Sequence, residues 1–137
     1  MDASRRQAWI RAALLAGLAY FLIGRLFAGP ATGTRLWRLA AWVISGAVFA
    51  AQIWYEHFRL RSAPRSTALH SALAVAIGAF ALALAGMIRS LSTTSTLRPA
   101  WFLALLIWPV VTAAPAFLVA FAVAAILARV PRSADTR

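Results

Sequence analysis

Four long apolar segments fill most of this chain, at Ala8–Ala28, Leu39–Tyr55, Ala68–Ile88 and Ala100–Ala128, with short arginine-bearing loops between them. A helix rises about 1.5 Å per residue, so segments of this length cross, or nearly cross, a hydrocarbon core of about 30 Å. In lipid every backbone N–H and C=O must find its partner within the protein. That requirement leaves helices and closed barrels, and uncharged runs this long are helical. The expected fold class is therefore an all-α integral membrane protein. We expect one domain over residues 1–137, a four-transmembrane-helix bundle whose fourth helix is long and proline-kinked.

Composition supports that solvent assignment. Hydrophobic residues make up 63% of the chain and charged residues 12%, against about 25% charged in soluble domains. Little chain remains outside the four segments, so no separate soluble domain is expected. The net charge of +11 comes from fourteen arginines and no lysine. These arginines sit at segment ends rather than in one patch, a distribution that suits anionic headgroups and argues against nucleic acid as a partner. Nine arginines fall on the side shared by the N-terminus, second loop and C-terminus, and five on the other. The excess predicts that both termini are cytoplasmic. Helical spans and arginine-only basic residues suggest the inner membrane of a bacterium. The absence of cysteine excludes disulfides, thiolate metal sites and lipid attachment through sulfur. Ser4-Arg5-Arg6 before an apolar run has the outline of a signal peptide, but Arg11 and Arg25 bracket that run. Gly29-Pro30 also offers no small-x-small cleavage site, so the segment is read as retained.

Segment one is expected to stop near Gly29-Pro30, with Arg11 and Arg25 reaching toward the two interfaces. In segment two, Trp37 and Trp42 at one end and Trp54-Tyr55 at the other mark headgroup levels. Segment three has Ala74, Gly78, Ala81 and Ala85 on one face. On the opposite face lie Ala72, Ala76, Ala79, Ala83 and Gly86. Small residues let helix backbones approach, so this helix is expected at the centre, touching neighbours on two sides. The stretch Ser90–Thr96 reads as a polar loop. No internal repeat relates the two halves, which weakens an inverted-repeat transporter.

Few residues offer chemistry. Of three acids, Asp2 and Asp135 lie in the tails, and Glu56 alone is near the apolar segments. Ser45, Phe49, Gln52 and Glu56 share one face of segment two, opposite Val43, Ala47, Ala50 and Trp54. Polar groups in a bilayer turn inward, so Ser45, Gln52 and Glu56 form the candidate intramembrane polar face. His57 ends segment two, and His70 lies about one turn inside segment three, after Pro64 and an expected Ser66 N-cap. A short hairpin would bring Glu56, His57 and His70 to one depth, where they could ligate a metal, hold a haem or relay protons. The simpler reading pairs Glu56 with Arg59 and leaves both histidines in structural hydrogen bonds. On that reading no metal and no cofactor is expected. In segment four, about 45 Å long if straight, Pro109 and Pro115 remove the bonds to the Leu105 and Val111 carbonyls. With Thr112 between them they form the candidate kink site.

No nucleophile–base pair, phosphate loop or zinc-ligand spacing is present. The chain is not expected to be an enzyme. Four spans and a single acid near the membrane resemble the plan of the small multidrug-resistance transporters. That family keeps its acid deep in the first helix, which carries none here, so the resemblance is one of plan and brings no function with it. The leading expectation is a structural or accessory role exercised through helix–helix contacts with another membrane protein. The alternative is a proton- or metal-linked transporter of small solutes or ions, acting as a homo-oligomer, with Gln52, Glu56 and His70 along its route. A third reading is a hydrophobic ligand or pigment held against the segment-four kink.

Overall fold

The computed structural model describes residues 3–27, 34–94 and 99–129. Among the described residues there are no strands. The elements are α1 (Ala3–Leu26), α2 (Thr34–Trp54), a five-residue π-helical turn (Tyr55–Arg59), α3 (Pro64–Thr94) and α4 (Pro99–Arg129). All four helices are long and apolar enough to cross a membrane. Each is longer than its apolar core alone requires, because polar and arginine-bearing turns continue the helix at one or both ends. The Gly29-Pro30 stop, Arg98, Thr96 and the charged tails lie outside the described residues.

Three local expectations are corrected. The polar stretch after Arg89 is not a loop as far as Thr94, since α3 continues through it. Ser92 Oγ donates to the Arg89 carbonyl at 2.8 Å, and Thr93 Oγ1 reaches the Arg89 and Ser90 carbonyls at 3.0 and 3.1 Å. These hydroxyls bond back along the helix and so remain compatible with it. Ser66 is not the N-cap of α3. The Ala63 carbonyl accepts the first helical bond, from the Thr67 N–H at 3.0 Å, and Pro64 occupies the first helical position. Proline suits that position because its fixed φ is already helical and its missing N–H would have no partner there. Finally, α3 is as long as α4, 31 residues each or about 46 Å. The excess length expected of segment four alone is shared.

The side-chain distribution is inverted relative to a water-soluble domain. The buried core is mostly alanine, in two clusters. Ala13, Ala16 and Ala74 join α1 to α3, while Ile53, Ala68 and Ala120 join α2, α3 and α4. Large apolar side chains point outward, Leu36 at 80% exposure and Trp42 at 77% among them. The largest side chains that are fully buried are Glu56, Thr67 and Ser71. Lipid gives a leucine no reason to leave the surface, so close backbone approach and polar pairing hold the helices instead.

Helix α3 is central. Its most extensive contacts are with α4, then with α1, and α2 leans mainly on α1. Gly17 and Gly78 make the α1–α3 approach possible. A Cβ on Gly78 would lie 2.6 Å from Tyr20 Cβ and 3.0 Å from the Gly17 carbonyl oxygen. On the α4 side Gly86 faces the Trp101 ring, and Ala120 and Ala124 are fully buried. The two small-residue faces of α3 thus meet different neighbours.

The chain leaves α2 through Arg61, whose φ of 49° is left-handed. An L-residue there costs about 1–2 kcal/mol relative to the right-handed region. Replacing Arg61 with glycine removes that strain and adds back some unfolded-state entropy. We expect Arg61→Gly to raise stability by about 0.5–1 kcal/mol, measured by SDS titration in mixed micelles. A loss of stability would show that the arginine side chain holds this turn.

Candidate functional site

Among the described residues, the buried polar side chains of Gln52, Glu56, His57, Thr67 and Ser71 gather where α2 turns into α3. Helix α2 does not end at Trp54 but widens into the π turn. There the Leu60 N–H donates to the Tyr55 carbonyl five residues back at 3.2 Å, and the Ser62 N–H donates to the Glu56 carbonyl at 3.1 Å. A π turn inserts an extra residue into the helical register and reorients the side chains it carries. Here Glu56 and His57, although consecutive, are both buried.

Glu56 has no exposed surface. Its carboxylate sits 3.0 Å from His70 Nδ1 through each oxygen, and Oε2 also accepts from Ser62 Oγ at 3.0 Å. Among the described residues this is the only ion-pair contact. The bond between ring nitrogen and carboxylate has its proton on either partner according to protonation state. Arg59 does not pair with Glu56, contrary to the simpler expectation, because the π turn directs the carboxylate across to α3.

His70 is held from two further directions. Its ring lies flat on Trp9 of α1, with centroids 4.2 Å apart and planes within 1°. Its carbonyl accepts a hydrogen bond from Gln52 Nε2 of α2 at 3.2 Å. One residue therefore ties together α1, α2 and α3. Around it several polar atoms are buried without a partner: Trp9 Nε1, Gln52 Oε1, Thr67 Oγ1 and Ser71 Oγ. A group in that condition ordinarily costs about 1–3 kcal/mol, so the cluster is polar beyond what its own bonds satisfy.

The three residues considered as metal ligands separate into a pair and a bystander. His57 packs edge-on against Phe58, centroids 4.9 Å apart, and no three acidic or imidazole side chains converge among the described residues. His70 Nδ1 is engaged by Glu56 and its ring face by Trp9. Of the candidate polar face, Gln52 and Glu56 are buried and Ser45 is half-buried, while Val43, Ala47, Ala50 and Trp54 are exposed. Ser45 is not in the cluster. It lines a second feature, nearer the middle of the helices.

That feature is a cleft of about 560 Å³ between α2 and α4, with α3 and the Tyr20, Ile23 and Gly24 positions of α1 as its floor. Small residues lie on each wall, Ala41, Ser45 and Gly46 on one side, Gly78 and Ala79 beneath and Ala116 opposite, between larger apolar side chains such as Phe49, Leu82 and Val119. Trp42 and Trp108 flank it, and a Cβ on Gly46 would meet nothing within 4 Å. Thr112 and Pro115 also line this cleft, whereas Pro109 does not. The backbone of α4 stays helical across both prolines, and Thr112 Oγ1 donates to the Trp108 and Pro109 carbonyls at 2.9 and 3.1 Å.

Sequence reasoning missed Trp9, Ser62, Thr67 and Ser71. A signal for the last two was present, because Thr67 and Ser71 continue the Ala74–Gly78 stripe at spacings of four and three. Trp9 and Ser62 had none, since their proximity depends on helix packing and on the π turn. No protein family, curated protein or solved structure matches this chain.

Proposed function

We propose that this chain is a multi-pass membrane protein, with both termini on the arginine-rich cytoplasmic side of a bacterial inner membrane. It acts through helix–helix contacts rather than catalysis. The observation that carries this reading is the open apolar cleft between α2 and α4, where Ala41, Ser45, Gly46 and Ala116 leave room for another helix to approach. Where lipid supplies no hydrophobic drive, close backbone approach is what associates helices, and small residues permit it. The occupant of the cleft on this reading is a transmembrane helix of a partner membrane protein, seated against Gly46 and Ala116. A proline kink at Pro109 and Pro115, with Thr112 bonding between them, would set how wide the α4 wall stands.

The test uses the full chain purified in detergent and weighed intact by native mass spectrometry. A second polypeptide at a fixed ratio is the expected result, released by Gly46→Leu, whose side chain fills the cleft, and kept by Ala47→Leu on the exposed face. Retention of that polypeptide by Gly46→Leu would overturn the reading. So would a bare monomer for the unmodified chain.

A second reading has its own support in the buried Glu56–His70 pair. In lipid-embedded helices an ionisable pair of this kind marks proton relays and solute routes. On that reading the protein is a homo-oligomeric transporter, and Glu56, Gln52 and His70 line the path. A homodimer in the native spectrum would favour it.

A further inference from the structure

At the opposite end from Glu56, α1 and α3 enclose a second cleft, of about 480 Å³, lined by Phe21, Arg25, Ala85, Ile88, Arg89 and Ser92. It is amphipathic: two guanidinium side chains stand over an apolar wall of Phe21, Ala85 and Ile88. Neither arginine makes an ion pair among the described residues. Among the described residues no carboxylate lies at that end, because Glu56 is the only acidic residue between Asp2 and Asp135. Glu56 itself is spent on His70. The Ser92 hydroxyl is also engaged, with the Arg89 carbonyl, so the two guanidinium groups are the donors left to a ligand.

Both helices end nearby, so their dipoles place about half a negative charge each at this end. That offsets part of the two arginines but leaves the cleft cationic. Guanidinium groups bind phosphate oxygens in bidentate fashion, with more geometric specificity than a point charge has. We infer that the Arg25–Arg89 cleft binds the phosphate of a membrane phospholipid, with an acyl chain laid along Phe21 and Ile88. The inference rests on the helices crossing a bilayer and is independent of any partner in the α2–α4 cleft.

The experiment is titration of delipidated, detergent-purified full chain with phosphatidylglycerol, read by native mass spectrometry, with inorganic phosphate added in a parallel arm. One lipid is expected to be retained by the unmodified chain. Arg25→Gln with Arg89→Gln together should weaken retention roughly tenfold, as the loss of charge-assisted hydrogen bonds does. Arg59→Gln with Arg65→Gln, at the other end, should leave it unchanged. If the glutamine pair loses helical content by circular dichroism, Arg25→Lys with Arg89→Lys takes its place. Those lysines keep the charge without the fork and should weaken retention by a smaller factor. Equal retention by the unmodified chain and the Arg25/Arg89 variant overturns the site. Displacement of the lipid by millimolar inorganic phosphate overturns the lipid as its ligand in favour of a free anion.

Discussion

Replacing Glu56 with leucine is expected to destabilise the fold by about 3 kcal/mol, the low end of the range for breaking a buried pair. The carboxylate is fully buried and accepts from both His70 and Ser62. Leucine leaves the imidazole and the hydroxyl without their acceptor. The cost stays at the low end because the His70 side chain is 16% exposed and so is not wholly cut off from other partners. Glu56→Gln preserves the shape and can still bond both neighbours, and neutral interhelical bonds in a bilayer average only about 0.6 kcal/mol. Its expected cost is therefore about 1 kcal/mol. SDS titration in mixed micelles measures both variants. A leucine variant within 0.5 kcal/mol of the unmodified chain, by the same titration, would mean that the cluster does not hold the helices (surface changes fall within about that limit). The same pair of variants separates the two functional readings. If Glu56→Gln keeps the fold and abolishes solute or proton flux in vesicles, the carboxylate serves transport. If flux is absent from the unmodified chain, the pair is a structural tie.

The second large effect is expected at the α1–α3 crossing. Gly78→Leu should separate these helices and cost about 3 kcal/mol or more, the upper part of the overpacking range. The obstacle is the Gly17 carbonyl and Tyr20 Cβ, neither of which can rotate aside. Gly78→Ala already places a carbon against them and should cost about 1–2 kcal/mol. Gly46→Ala is the control, because its Cβ meets open space and alanine is the better helix former by up to about 1 kcal/mol. Thermal unfolding of the detergent-solubilised variants should rank Gly46→Ala at or above the unmodified chain and Gly78→Leu at the bottom. Equal stability for Gly78→Leu would show that the crossing is looser than its geometry implies.

The four helices were legible in the sequence because long uncharged runs admit little else, and their ends were misread because helices outlast their apolar cores. Pro64 and the Ser92–Thr93 turn show why. Each looks like loop by composition, yet Pro64 is the first residue of α3 and the hydroxyls bond back along its last turns. Spacing placed Gln52 and Glu56 on one face, and a short hairpin placed Glu56, His57 and His70 at one depth, but the simpler reading gave Glu56 to Arg59 rather than to His70. The separation of His57 from the Glu56–His70 pair was not legible, since it depends on a π turn of five residues that no local composition announces.

What the sequence by itself determined is helical content, the number of helices able to cross a membrane, and which stripes of α2 and α3 are polar or small. These follow from local rules: the backbone must satisfy itself, and charge stays at the ends. The tertiary structure alone decided that Trp9 stacks on His70, that α3 is shared by α1 and α4, and that α2 stands off from α4 to leave a cleft. Between helices that all carry apolar surface, hydropathy is nearly the same for every arrangement. Contacts as local as Gly17 against Gly78 and Glu56 against His70 select one of them.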